Sequence, residues 1–192
     1  LDLSEGNVIR RYPVETGSLS EIAFGPRGET FFVAGKTRDG EGILKSCVEI
    51  RSLTADAPGS RLTLTGMHGD LDITHMVLSP NDSRMALCLG NERIQIWDYN
   101  NRTMVSEAKT PDLIADLWVM DWSMDGALMT IHRKRGLCFW DTGTMRCVRE
   151  TGLPSGMDSG ELIPRAMKIG SDENHVIAAF QNGSIWAYNR SN

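Results

Sequence analysis

The sequence lacks any hydrophobic run long enough for a membrane-spanning helix, because none of its 192 residues belongs to a stretch approaching about eighteen apolar residues. The first residues also lack the charged and apolar regions of a signal peptide. Asp and Glu (25) outnumber Lys and Arg (20), giving a net charge of -5, whereas a dedicated nucleic-acid binder needs a basic surface. These absences argue against a membrane protein and against nucleic acid as the partner.

Cysteine is scarce, and the cysteines present show no C-x-x-C spacing. Most lie within predicted strands among apolar neighbours, so we expect buried free thiols rather than disulfides, in the cytoplasm or nucleus. Four Asn-x-Ser/Thr sequences would suit a secreted glycoprotein instead, but they lie at predicted turns, where Asn and Ser bond the local backbone. The four cysteines are Cys47, Cys88, Cys138 and Cys147.

Signatures of catalysis and of bound cofactors are lacking as well. The sequence has no G-x-S-x-G nucleophile elbow and no glycine-rich phosphate loop. Its histidines stand apart from each other and from carboxylates at any ligand spacing, which favours structural roles over metal binding. We therefore predict a protein that is not an enzyme and holds no cofactor or metal. The histidines are His68, His75, His132 and His175.

What the sequence does contain is a strand that recurs. Residues 93–99 read RIQIWDY, and this alternation with β-branched and aromatic residues favours a half-buried strand. The Trp-Asp pair at 97–98 returns at 140–141, 43 residues later, and Tyr188 takes the tryptophan position after a further 48. Arg51 stands at the same phase 46 residues before the first pair. Self-similarity at this period indicates a repeat architecture.

The repeats divide the whole chain into units of short strands separated by turns. No segment sustains a helical period, so the predicted class is all-β. Residues 35–45 contain three glycines and mixed charge, and we predict that they form a mobile insertion loop. The predicted units are an outer strand of a partial unit at 1–17, whole units at 18–66, 67–111 and 112–153, and a unit lacking its outer strand at 154–192.

The order of these elements resembles the WD-repeat family. A Ser-Pro-Asn-Asp turn at 79–82 precedes a strand at 84–89, the Trp-Asp pair follows at a fixed offset, and the third unit keeps this order. The resemblance implies a β-propeller of four-stranded antiparallel blades, with about four blades represented. The residues that mark the repeat are His68, Trp97, Asp98, Trp140, Asp141 and Tyr188.

The sequence also departs from the family's pattern. In the family, a buried Asp, His, Ser/Thr and Trp hydrogen-bond within a blade, but Asn91 and Lys134 occupy the Asp positions of the second and third units. This predicts a divergent member that depends on apolar packing between blades. We expect burial of Ile94, Ile96, Trp97, Phe139, Trp140 and Val176.

The number of blades bears on how the ring is completed, because the family usually has more blades than are represented here. We expect a section of a larger propeller or of a larger chain. The alternative is a closed four-bladed ring in which residues 7–12 pair with residues 184–189. The ring would then be completed by the chain's own N-terminal strand, by further blades or by another copy.

The resemblance implies a non-catalytic scaffold that binds other proteins or a larger complex through loops at the propeller faces. Positive charge at a hairpin tip of the third unit would suit acidic or phosphorylated partners. The alternatives are a propeller-fold hydrolase and a phosphoinositide or membrane-surface module using residues 10–12, Arg-Arg-Tyr. The candidate partner-binding residues are Lys134, Arg135, His132, Asn91, Glu92 and Asn182.

Overall fold

A computed structural model of the chain describes residues 11–12, 17–53, 60–63, 71–90, 93–109, 117–132, 136–152 and 163–190. Within these ranges every regular element is a β-strand. The search of the same ranges for a helix able to cross a membrane finds none. The strands form four antiparallel sheets of three or four strands, which confirms the predicted all-β class.

Each sheet consists of strands that follow one another in the chain, and we call the sheets blades 1 to 4. The described part of blade 4 has three strands, and the others have four. The strands are β1 (Ser18–Phe24), β2 (Thr30–Arg38), β3 (Leu44–Ser52) and β4 (Ser60–Thr63) in blade 1; β5 (Ile73–Leu78), β6 (Arg84–Leu89), β7 (Arg93–Asp98) and β8 (Thr103–Lys109) in blade 2; β9 (Leu117–Trp122), β10 (Leu128–His132), β11 (Gly136–Asp141) and β12 (Arg146–Thr151) in blade 3; and β13 (Pro164–Ile169), β14 (His175–Phe180) and β15 (Ile185–Asn189) in blade 4.

The blades repeat the same irregularities of pairing. In all four, the first two strands shift register near the start of the first strand. In blades 2 and 3, the last two strands also shift at the tryptophan, Trp97 or Trp140. Five residues beyond each tryptophan the chain adopts a positive φ, 58° at Arg102 and 52° at Met145. Because β-bulges at equivalent places re-aim equivalent side chains, the sequence repeat is also a structural repeat.

Apolar side chains between neighbouring blades form three separate cores. Successive residues of a strand point to opposite faces, so Ile96 packs in the core between blades 2 and 3, whereas Trp97 packs in the core between blades 1 and 2. Burial of a large apolar side chain contributes about 1.5–3 kcal/mol. All six predicted core residues are at most 6% exposed, which confirms that prediction.

The first strands of the four blades line one cavity, which we call the central channel, with a volume of about 470 Å³. Strands β1, β5, β9 and β13 pack against one another in that order. Among the described residues, no comparable packing joins β13 back to β1, and β1 leaves Leu19, Ile22 and Phe24 exposed by 57, 62 and 67%. The described packing thus runs from β1 through β5 and β9 to β13, and no closed ring is shown among the described residues. Ring closure stays a prediction, because most of its N-terminal strand lies outside the described residues.

The prediction of an insertion loop over residues 35–45 is wrong for most of that segment. Strand β2 continues to Arg38, β3 begins at Leu44, and the two remain paired up to these residues. Gly35 lies within strand β2. A Cβ at this position would clash with the carbonyl oxygen of Ser18 in the neighbouring strand. Its glycine therefore permits the close approach of the bulged strand β1 rather than marking a loop.

The turn that remains between β2 and β3 is organised by Asp39. Its Oδ1 accepts hydrogen bonds from the amides of Glu41 at 3.0 Å and Ile43 at 2.9 Å. Its Oδ2 lies 2.7 Å from Nζ of Lys45. The hydrogen bond from Lys45 is the main reason that the pKa of Asp39 is lowered. The insertion is thus a longer hairpin with a short, capped tip.

Candidate functional site

The indole N–H at the tryptophan position of the third strand donates to different acceptors in blades 2 and 3. In blade 3, Nε1 of Trp140 donates to Oγ1 of Thr130 at 2.8 Å. In blade 2, Nε1 of Trp97 donates to Oε1 of Gln95 at 2.8 Å, and Nε2 of Gln95 donates to Oε1 of Glu107 at 2.8 Å. Sequence reasoning missed both acceptors, although Thr130 is the residue type that the family uses. Both tryptophans are buried and have a structural role within the blades.

Blades 1 and 4 carry other residues at the tryptophan position. In blade 1, Nη2 of Arg51 lies 2.8 Å from Oε2 of Glu49, two residues earlier in the strand. In blade 4, the buried hydroxyl oxygen of Tyr188 has no hydrogen-bond partner among the described residues, and burial raises its pKa to about 12. These positions are therefore structural as well, and they lie within the blades rather than on an accessible surface.

The aspartates of the two Trp-Asp pairs hold the turns that follow them. Oδ1 of Asp98 accepts hydrogen bonds from the amides two and three residues later, at 3.0 and 2.9 Å. Oδ1 of Asp141 does the same at 2.9 and 2.8 Å. The amides of Asn101 and Thr144 are the main reason that the pKa of each carboxyl is lowered. Both aspartates thus have a structural role at the ends of their strands.

Four of the five charged or titratable side chains that line the central channel pair across blades, whereas Arg165 donates to Oε1 of Gln181 within blade 4 at 2.6 Å. Nδ1 of His75 in blade 2 lies 3.5 Å from Oε2 of Glu21 in blade 1. Asp121 in blade 3 accepts hydrogen bonds from Nζ of Lys168 at 3.2 Å and from the amide of Ile169 at 3.1 Å, both in blade 4. No serine, threonine or cysteine is among the described residues that line the channel. These pairs align neighbouring strands and offer no nucleophile beside a base.

A second cavity opens between blades 1 and 2. It lies where the turns between first and second strands emerge, on the side that we call the turn face, and its volume is about 660 Å³. The rings of Phe32 and Tyr99 meet edge to face in its floor, with centroids 4.9 Å apart. The Tyr99 hydroxyl donates to the carbonyl oxygen of Asp82 at 3.3 Å. We call this cavity the turn groove, and its lining includes Pro26, Arg27, Glu29, Phe32, Ile50, Pro80, Asp82, Tyr99 and Asn100.

Of the predicted partner-binding residues, the structure describes Asn182 and His132, which lie at or just beyond the strand ends opposite the turn face. Asn182 is exposed there, and its Oδ1 accepts hydrogen bonds from the amide of Ser184 at 3.0 Å and its hydroxyl at 2.7 Å. His132 ends β10 opposite Gly136. The structure therefore does not test whether these residues form one surface. The predicted residues that lie outside the described ranges are Asn91, Glu92, Lys134, Arg135 and the repeat marker His68.

The four cysteines are free thiols, as predicted, and all but the half-buried Cys147 are buried. Cys138, Cys147 and Glu150 place one possible metal-ligand atom each within 4.8 Å of one another. However, Sγ of Cys147 donates to the carbonyl oxygen of Arg149 at 3.4 Å, and burial raises the pKa of this thiol. This burial favours the neutral thiol over the thiolate that a metal requires.

No protein-family model and no curated protein sequence matches the chain. The blades themselves define an all-β repeat of antiparallel sheets whose first strands line a common channel.

Proposed function

We propose that the chain is a divergent WD-repeat β-propeller region that acts as a non-catalytic scaffold, binding other proteins through loops at its faces. The observation that carries the proposal is that side chains of the central channel pair across neighbouring blades, Glu21 with His75 and Asp121 with Lys168. Groups that serve catalysis converge on a reacting atom, whereas these hold strands together. The free thiols support a reducing compartment, cytoplasmic or nuclear.

Neither alternative function gains support from the described residues. A hydrolase that uses a hydroxyl or thiol nucleophile would need a serine, threonine or cysteine beside a base, and the described lining of the channel has none of these residues. In the Arg-Arg-Tyr run, the Tyr12 ring packs edge to face on Phe31 with centroids 4.9 Å apart, and its hydroxyl donates to the carbonyl oxygen of Leu53 at 3.1 Å. Tyr12 thus belongs to the packing of blade 1.

Affinity capture on the immobilised chain, read by quantitative mass spectrometry, tests the scaffold. A double variant, Lys134→Glu with Arg135→Glu, reverses the charge of one hairpin tip. Val148→Glu is a matched control, because Val148 is 64% exposed on the outer strand β12. We expect proteins that the wild type and the control both capture and the double variant loses.

The competing functions give different results in parallel assays. Turnover of ester, phosphoester or peptide substrates by the purified chain, with no stoichiometric protein captured, would refute the scaffold and favour the enzyme. Sedimentation with phosphoinositide vesicles but not with phosphatidylcholine vesicles would favour the membrane module.

A further inference from the structure

Blade 1 exposes large apolar side chains on the face that points away from blade 2, which we call its front face. Ala23 packs in the core between blades 1 and 2, so its neighbours Ile22 and Phe24 in β1 point to the opposite face. They are 62 and 67% exposed, and Leu19 in the same strand is 57% exposed. Leu19 and Ile22 also line a cavity of about 540 Å³. Apolar side chains that are exposed together mark an interaction surface.

The same positions are buried in the blades that have another blade before them. Phe24 is the last residue of β1, as Trp122 is of β9. Two residues earlier, Ile22 corresponds to Met76 in β5 and Met120 in β9. Met76 is 3% exposed, and Met120 and Trp122 are each 6% exposed, in the cores that blades 2 and 3 form with the preceding blades. The front face of blade 1 therefore has the residues of a blade junction but not their burial.

Blade 4 is exposed on the other side, which we call its back face. Ile177 follows the residue that pairs with Tyr188, and Ile185 lies three residues before Tyr188. They are 42 and 70% exposed. In blades 2 and 3, the side chains at these two positions are all 0% exposed and pack in the core shared with the following blade. Those residues are Ala86 and Ile94 in blade 2 and Met129 and Leu137 in blade 3.

The three internal junctions differ in the polar contacts at their edges. Between blades 1 and 2, Nζ of Lys36 lies 2.8 Å from Oδ1 of Asp72. Between blades 2 and 3, Nδ2 of Asn81 donates to the carbonyl oxygen of Met124. Between blades 3 and 4, the amide of Met124 donates to Oε1 of Glu173 at 3.0 Å. What the junctions share is an apolar front face against an apolar back face, so these faces define a junction.

The two exposed faces complement each other in the way that the faces of an internal junction do. In the core between blades 2 and 3, the small Ala86 and Cys88 of the back face lie with the large Met120 and Trp122 of the front face. On the back face of blade 4, the residues paired with Ile185 and Ile177 are alanines at 179 and 187. These alanines leave room for the large side chains of a front face, as close packing requires.

Within one chain, the two faces do not meet among the described residues, because β13 has no packing against β1 comparable to that between the other first strands. A second copy of the chain carries both faces and can cover both. Two-fold symmetry then makes the two new junctions identical and leaves neither face exposed. Two chains of four blades also stay within the typical range of about four to eight blades in a propeller.

We propose that the chain forms a symmetric dimer in which the back face of blade 4 in each copy packs on the front face of blade 1 in the other. The eight first strands then line one channel. The proposal concerns the assembly of the chain and does not depend on whether its loops bind other proteins.

Sedimentation velocity on the whole 192-residue chain measures the assembly, and we expect the mass of two chains. Phe24→Glu on the front face and Ile185→Glu on the back face should each raise the Kd of the dimer about hundredfold. The added charge enters both junctions, and we expect about tenfold from each. Val148→Glu is the matched control, because Val148 is 64% exposed on β12, and it should dimerise as the wild type does.

A mixture of the two variants tests which faces meet. Phe24→Glu keeps its back face and Ile185→Glu keeps its front face, so the two can form one intact junction. A tagged Phe24→Glu chain should therefore retain untagged Ile185→Glu and should not retain untagged Phe24→Glu. A dimer through two front faces would instead survive Ile185→Glu.

Hydrogen exchange of the unsubstituted chain gives a test that needs no variant to fold. Amides of β1 and β15 should exchange more slowly as the protein concentration rises, whereas amides of β12 should not change. A monomer at every concentration, a dimer that either face variant leaves intact, or retention of Phe24→Glu by itself would overturn the proposal. A monomer would favour further blades as the cover of both faces.

Discussion

Replacing Thr130 by valine removes the hydroxyl that accepts the indole hydrogen of Trp140, while keeping the size and branching of the side chain. The donor and acceptor are 2.8 Å apart, and the two residues are 0% and 3% exposed. Water has no access to such a site, so the buried indole N–H loses this hydrogen bond without a solvent replacement. Removing one partner of a buried hydrogen bond costs about 1–3 kcal/mol.

Urea denaturation, monitored by circular dichroism, measures the decrease in the free energy of unfolding. A destabilisation of about 2 kcal/mol lowers the melting temperature of a chain of this size by roughly 4–8 °C. Thr103→Val is the matched control, because Thr103 is exposed on strand β8, and its effect should stay within about 0.5 kcal/mol.

A double-mutant cycle separates the hydrogen bond from other effects of the substitution. In the background of Trp140→Phe, which removes the donor, Thr130→Val should cost about 1 kcal/mol less than in the wild type. A loss below about 0.5 kcal/mol for Thr130→Val, or equal losses in the two backgrounds, would refute the reasoning.

Three further predictions follow from the strands and turns. Trp97→Ala should cost about 3–5 kcal/mol, because it empties part of the core between blades 1 and 2, and a loss below about 1 kcal/mol would contradict the packing. Because the pKa of Asp141 is lowered from its usual 3.8, its contribution to stability is present above about pH 4 and is lost as the pH falls through the lower folded value. Asp141→Asn should therefore lose less stability than the wild type between about pH 5 and pH 2, and identical profiles would exclude the cap. In hydrogen exchange, strand amides within residues 35–38 should label more slowly than the tip at 40–42, and equal rates would favour the loop that the sequence suggests.

The strands could be predicted from the sequence because each obeys a local rule. Alternation and bounding turn residues give the predicted strand at 84–89, which is β6 (Arg84–Leu89) with the bounds that the structure has. Gly35 is an exception to prediction from local pattern. Glycine is required there because the backbone of Ser18 in another strand lies where a Cβ would be. A local pattern cannot reveal such a neighbour.

The partners of the tryptophans and the turn groove could not be predicted for a related reason. Thr130 meets Trp140 only through the register that places Leu128 opposite Trp140. The groove depends on where polar contacts join two blades, which no single repeat specifies. Sequence reasoning placed the candidate partner residues at hairpin tips, whereas the described cavity with an apolar floor opens on the turn face.

The polar contacts differ between the three junctions, and this difference affects which blades pack beside one another during folding. Blades with nearly the same backbone can stack in the wrong sequence, within one chain or between two chains during folding. A wrong neighbour would lose the pairs of Asp121 with Lys168 and of Lys36 with Asp72, each of which contributes up to about 1 kcal/mol at a partly exposed junction. The polar contacts at each junction thus favour the neighbour found in the structure. Four identical blades would make the same contacts in any order, so the differences between the repeats favour one order of packing.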